Sequence, residues 1–372
     1  MPKASEAEKD YSKLLETEVP LLSEEAKKGN LSGALEGLFL LEKQTRQGSD
    51  FVTCSKIARE IVRVCYQAQN WEQLNETLVT LSKRRGQSKT VIQESVQEAM
   101  SFLDHIEDVA IATELVKILR SITEGKIFVE LESAELTKRL ASIYEKSNEV
   151  KKAAKVLQEV QVETLSKMET KDKVIYILEQ VRLCLACNDY IRALILSRKV
   201  NQKLLLQDSF QEEKLRYHHL MIQLFHNQKN HLDIARAYQA AYNTPTVLEN
   251  EEQWSRYLKL LCLYTVLSPF SSDQSDIINR TFGLKNLGEL PLYKQLLKQF
   301  LTKELMNWPS ILESYKAELS SFPDFVGPEG TALWETLQLR VVEHVRSLPL
   351  RVLSALTPLV EPSCRCWLLP TH

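Results

Sequence analysis

Cys184 and Cys187 stand three positions apart, the spacing at which two thiolates can share a zinc ion, and Cys364 and Cys366 form a second close pair. A structural zinc site takes four ligands, commonly as two such pairs. No second Cys or His pair follows Cys184-x-x-Cys187 at zinc spacing. One core thiol and one thiol near a turn are therefore expected, since free cysteine packs as a small hydrophobe. Histidines cluster only at His218, His219, His226 and His231. His219 and His226 can share a helix face, but no H-E-x-x-H arrangement is present, so these read as surface and turn histidines. Glu130, Glu132 and Glu135 could serve acid–base chemistry as paired carboxylates. Lys126, Lys138 and Arg139 lie within helical reach and give them salt-bridge partners instead. The run Lys83-Arg84-Arg85 could meet a phosphate, but cations at a helix C-terminus offset its dipole, and a solvated helix end is expected. The ten glycines form no G-x-G or Walker loop. No Ser or Cys has a base and an orienting group nearby. Catalytic, cofactor-binding and metal-ligating residues are all expected to be absent, and with them any cofactor.

The elements carrying these residues repeat. Helix ends run into short turns at Asn30, Asn70, Asn148, Asn188 and Asn230, and a second helix opens with Ala or Leu soon after. The separations are 40, 78, 40 and 42 residues, so a sixth turn is expected near 108, where Glu107-Asp108 stands. A period near 40 with two helices per unit is the mark of an α-solenoid. Pro is absent between Pro20 and Pro245, and Gly between Gly125 and Gly283; both break helices. Ile57, Ile61, Val64, Cys65 and Ala68 fall on one stripe of a 3.6-residue period. Ala34, Ala153, Ala154, Ala193 and Ala235 follow the turns, where paired helices approach most closely and only a small side chain keeps the axes near 8–10 Å. Trp71, Tyr144, Tyr190, Tyr238, Tyr242 and Trp254 sit at turns and helix faces as core anchors; base stacking would need them interleaved with exposed Arg or Lys.

After Pro245 the character changes. Trp254 to Leu267 is strongly apolar and stops at Ser268-Pro269. Short helices are expected from Ile277 to Phe282, Leu292 to Lys303 and Pro309 to Leu319. A Pro/Gly linker is expected from Pro323 to Gly330, a further helix from Thr331 to Arg346, and a poorly structured end. No strand is evident.

The chain has 372 residues, 44% of them apolar, and 47 basic against 49 acidic residues leave a net charge of −2. No global field attracts nucleic acid or an anionic membrane. Seven scattered cysteines make no disulfide framework, which suits a reducing compartment. Met1 to Asp10 lacks a signal-peptide core, and no run of 18 apolar residues exists to span a membrane. A soluble intracellular protein is expected.

Several segments together resemble one family. They include Leu41-Glu42-Lys43-Gln44-Thr45-Arg46, Leu81-Ser82-Lys83-Arg84-Arg85 and Leu157-Gln158-Glu159-Val160-Gln161-Val162-Glu163-Thr164. Ile177-Leu178-Glu179-Gln180-Val181-Arg182, Leu220-Met221-Ile222-Gln223-Leu224 and Lys303-Glu304-Leu305-Met306 continue the match. The chain is similar to the PCI family, shared by the proteasome lid, the signalosome and an initiation-factor complex, over roughly residues 10 to 344, and most closely to its proteasome-lid members. The resemblance implies an all-α fold: a TPR-like helical-repeat solenoid arm over 1–245, the helical part of a PCI domain over 246–346, and a divergent, poorly ordered tail over 347–372. After His344 the family pattern stops, so the winged helix is expected to be missing or incomplete. It further implies a non-catalytic, cytoplasmic and nuclear scaffold in a hetero-oligomer. Its partners would be other proteasome lid subunits and the ATPase ring, with no nucleic acid and no membrane. A signalosome subunit or a free helical-repeat adaptor is the alternative.

Overall fold

In the computed structural model, residues 12–302 and 306–346 are described. Eighteen α-helices, linked by turns and short 3-10 segments, form all the regular structure among them, with no strand. The chain divides into two compact units, Met1–Tyr176 and Ile177–His372.

In the first unit, helices α1 (Ser12–Lys27), α2 (Leu31–Gln47), α3 (Phe51–Gln67), α4 (Trp71–Lys83), α5 (Lys89–Phe102), α6 (Val109–Thr123), α7 (Glu130–Lys146) and α8 (Val150–Gln158) stack in order. Helices α1 to α4, α6 and α7 each pack on their successor, and α1 on α3, α3 on α5, α4 on α6 and α5 on α7. That pattern is the arrangement of a helical-repeat array, in which each hairpin buries its apolar stripe against the next. The stripe of α3 is interior up to its last turn: Ile57, Ile61 and Cys65 are 0% exposed and Val64 2%, while Ala68, the C-cap, is exposed. The alanines Ala34 and Ala153 are also 0% exposed, on the first turns of α2 and α8.

The turns divide the asparagines between two roles. Asn30 and Asn70 are N-caps, accepting from the backbone N–H of Gly33 at 3.2 Å and Gln73 at 3.1 Å; the residue before each, Gly29 or Gln69, takes the positive φ. Asn148 itself takes the positive φ, 61°, and Glu149 becomes the cap. The same backbone bond closes each turn, from Asn30 N–H to the Glu25 carbonyl, Asn70 to Cys65 and Glu149 to Tyr144. This six-to-one bond is the Schellman closure, and asparagine suits both places because it caps well and tolerates left-handed backbone. The turn expected near 108 is present, with Asp108 capping α6.

Helix α9 (Thr170–Ala186) precedes the second unit's α10 (Tyr190–Ser197), α11 (Gln211–Asn227), α12 (His231–Tyr242), α13 (Pro245–Leu248), α14 (Glu251–Leu267), α15 (Ser272–Phe282), α16 (Pro291–Leu301), α17 (Trp308–Leu319) and α18 (Gly327–Arg346). Asn188 takes φ 60° before the cap Asp189, and Asn230 caps α12. Helix α14 is central, packed by α12, α13, α15, α16 and α18. Every residue from Leu260 to Leu267 is buried, which is why this segment is apolar around its whole circumference.

Two expectations are corrected here. Helix α15 starts at Ser272, earlier than Ile277, because the Ser271 hydroxyl accepts the Gln274 N–H at 3.1 Å. The supposed linker Pro323–Gly330 is structured: Pro323–Phe325 is a 3-10 turn and α18 begins at Gly327, whose φ of +78° reverses the chain. Pro328 then falls in the first helical turn, where its missing N–H costs nothing. The expectations for the tail, 347–372, and for Cys364 and Cys366 lie outside the described residues.

Candidate interaction surface

Among the described residues, the cysteines singled out above do not converge with other metal-ligating side chains, whereas His226 and His231 meet around one tyrosine. Cys184 is buried and Cys187 half-buried at its turn. Among the described residues no group of three His, Cys, Asp or Glu side chains is placed to hold a metal ion, and no helix is long and apolar enough to cross a membrane. Burial pushes the thiols of Cys54 and Cys65 up to about 11, which suppresses the thiolate that nucleophilic or metal chemistry needs. The aromatics pack as anchors: Tyr66 stacks on Phe102 with centroids 4.0 Å apart and meets Trp71 edge-on at 5.7 Å, while Tyr238, Tyr242 and Trp254 are buried.

What the polar residues do instead is join consecutive repeats. Along the first helix of each hairpin, Ser23 donates to Glu60 at 3.0 Å, Arg63 to Glu60 at 3.2 Å and to Glu98 at 2.8 Å, and Arg59 to Glu98 at 3.1 Å. Gln93 and Gln97 then donate to Glu132 at 2.9 and 2.7 Å. The ladder thus runs α1–α3–α5–α7. Along the second helices, Arg84 pairs with Glu42, Arg46 donates to the Arg85 carbonyl at 2.8 Å, and Arg120 to Glu159 at 2.8 Å. In the second unit Arg216 pairs with Glu179, and Arg236 with Asp273. Apart from Arg63 and Glu60, three residues apart on α3, the partners lie 35 to 42 residues apart, one repeat. Charge-assisted bonds of this kind fix the angle between successive hairpins, because their geometry is directional where apolar contact is not.

The ladder overturns two expectations. Glu132 is buried and its partners are glutamines of the preceding repeat; of the carboxylates set against local cations, Glu135 keeps one, Arg139 at 3.2 Å. Arg84 is no solvated helix end. It reaches the fully buried Glu42 and lies 4.5 Å above the Phe39 ring. A signal for these pairs was present in the sequence: Arg59 and Glu98, Gln93 and Glu132, and Arg120 and Glu159 are each separated by 39 residues, the repeat length.

The histidines also differ from the expected surface set. Tyr264, fully buried on α14, donates to Asp324 Oδ2 at 2.9 Å and lies 3.2 Å from His226 Nε2. The His231 and Tyr238 rings stack on it at 6.1 and 5.7 Å. Burial holds His226 below its ordinary range against the pull of Asp324. Burial, with the charges of Arg340 and Lys229 and neighbouring His226, brings His231 to about 4. Both rings therefore stay neutral near pH 7. The cluster clasps α11, α12, α14 and the Pro323–Phe325 turn together, with the His226 and Asp324 side chains 33% and 32% exposed. His218 is likewise held at about 4 by burial and Lys214, and His219 alone is exposed.

A surface of linked helical repeats is the setting for comparison with known proteins. A family model described as PSMD12/CSN4, N-terminal, matches residues 33–250. The 26S proteasome non-ATPase regulatory subunit 12 of Dictyostelium discoideum is 42% identical over 337 residues, covering 91% of this chain and 75% of that protein. Homolog A of the same subunit from Arabidopsis thaliana is 38% identical, covering 85% and 77%. The 26S proteasome regulatory subunit RPN5 of Saccharomyces cerevisiae is 35% identical, covering 91% and 76%. With similarity of this extent on an all-helical repeat fold, the chain belongs to the 26S proteasome non-ATPase regulatory subunit 12 family.

Proposed function

We propose that this chain is a non-catalytic scaffold subunit of the proteasome regulatory-particle lid, supporting ubiquitin-dependent degradation through protein–protein contacts in cytoplasm and nucleus. The observation that carries the proposal is 42% identity over 91% of the chain to a proteasome regulatory subunit. The repeat array supports it physically, since stacked hairpins offer long surfaces for neighbours, and obligate interfaces of this class bury on the order of 2,000–5,000 Å². The arm is assigned to 1–245 and the helical PCI part to 246–346, a division supported by a family match that ends at residue 250.

The family model's description also includes CSN4, which supports a second reading, a subunit of the sister signalosome. Affinity purification of the tagged full chain with mass spectrometry of its companions separates the two. Stoichiometric lid subunits uphold the proposal; signalosome subunits in their place move the chain to the sister complex. Recovery without either leaves a free adaptor and refutes both.

A further inference from the structure

The repeats provide their own control for one surface. Counted from the residue that caps each second helix, the positions two and six further on point to solvent on one face. In α2 they are Ser32 and Glu36, in α4 Glu72 and Glu76, in α6 Ala110 and Glu114, and in α8 Lys151 and Lys155, all exposed. In α12 they are half-buried Leu232 and exposed Arg236. In α10 they are Ile191 and Ile195, 76% and 55% exposed. Single exposed apolar residues are ordinary, but two exposed isoleucines one turn apart, at a register that elsewhere is charged, small or, at Leu232, half-buried, are not a requirement of the fold. Isoleucine is also a poorer helix former than the Glu or Lys of the sister repeats, so the pair gains the isolated chain nothing.

The exposed chain just after the pair, up to Lys203, is basic. Arg192 is on the same helix and pairs with Asp189 at 3.4 Å. Arg198 at the helix end and Lys203 beyond it are exposed, and Leu206, 77% exposed, follows in the next 3-10 turn. We infer that the Ile191–Ile195 face of α10 is a docking ridge for an acidic amphipathic helix of a neighbouring protein, with apolar side chains set on the isoleucines and carboxylates meeting Arg198 and Lys203. Apolar anchors at the centre with complementary charge at the rim are the usual division between affinity and steering. The inference deepens the lid proposal by naming a contact surface and the chemistry of its partner, and it rests on that proposal for the partner's identity alone.

The test uses the full chain in cells with p-benzoylphenylalanine in place of Ile191. The chain is photo-cross-linked and the joined peptide sequenced, with the same probe in place of Lys155 as a matched control. The expected product is one acidic helical segment of a different protein. Ile195→Glu should lower its yield about tenfold or more, the scale of a central anchor, and Arg198→Glu with Lys203→Glu should lower it severalfold, while the thermal midpoint of the purified chain stays that of the wild type. Cross-links to a second copy of this chain, to a segment without net negative charge, or no more than at position 155, overturn the inference. An acidic segment from a lid subunit supports both proposals; one from an unrelated protein keeps the ridge and refutes the lid assignment.

Discussion

Arg84 closes an ion pair with Glu42 across 42 residues, and the carboxylate it reaches is 0% exposed. Arg46 holds the other oxygen at 3.1 Å. A charge so deeply placed in a helix–helix seam is tolerable because both oxygens are matched by guanidinium donors.

Arg84→Met should therefore cost about 2–4 kcal/mol in denaturant unfolding, since it strands part of a buried charge, even though the methionine keeps contact with Phe39. Adding Glu42→Gln should recover a substantial share. If the double variant is as unstable as the sum of the singles, the pair is not coupled as the geometry requires.

Glu98 collects Arg59 and Arg63 from the preceding repeat, and Glu132 collects two glutamines. Glu132→Ala should destabilise by about 1–3 kcal/mol, because it leaves two amides in a half-buried seam without their acceptor. Backbone hydrogen exchange should quicken in α5 and α7 and remain unchanged in α12 and α14.

Tyr264→Phe removes the hydroxyl that meets Asp324 and His226. A loss of about 1–2 kcal/mol is expected, with the Pro323–Phe325 turn becoming more sensitive to limited proteolysis before the rest of the second unit.

His218 and His231 are both brought from 6.5 to about 4, chiefly by burial, with Lys214 facing the first and His226, Arg340 and Lys229 facing the second. Below pH 6.5 the unfolded chain takes up protons that the folded chain refuses, so stability must fall as pH drops from about 6.5 to about 4. It should be flat in these groups above that window. Each histidine contributes a slope of at most ~1.4 kcal/mol per pH unit, lessened by solvent at half-buried sites. Urea titrations at pH 7, 6 and 5 should show the decline, and His231→Asn should flatten its share.

Gly330 packs directly on the Phe325 backbone: an added Cβ would stand 2.2 Å from its carbonyl carbon and 2.3 Å from its oxygen. Backbone cannot move aside as a side-chain tip can, so Gly330→Ala should cost roughly 2 kcal/mol or more and loosen the start of α18. Gly288→Ala, where a Cβ meets nothing within 4 Å, is the control and should shift the melting midpoint little.

Much of this protein is visible to sequence reasoning because its signals are short-range. The absence of Pro over the 224 positions between Pro20 and Pro245, the apolar stripes and the asparagine turns act over four to seven residues, which is the reach of helix hydrogen bonds and caps. They specify hairpins, their period and their apolar faces, and the alanines after each turn anticipate close helix contact. Boundaries were less secure where a single cap decides them, as at Ser271 or Gly327.

An all-helical repeat, and a family membership carried by long strings of matching residues, are legible in the amino-acid order alone. Which polar residues become partners is settled by folding. Arg84 became a buried ion-pair donor, Glu132 an acceptor for the previous repeat, and His226, Tyr264 and Asp324 one cluster. Those bonds join residues one repeat or more apart, so they exist only once hairpins stack. Electrostatic energy depends on burial and distance in space, and neither quantity is written in the order of the residues.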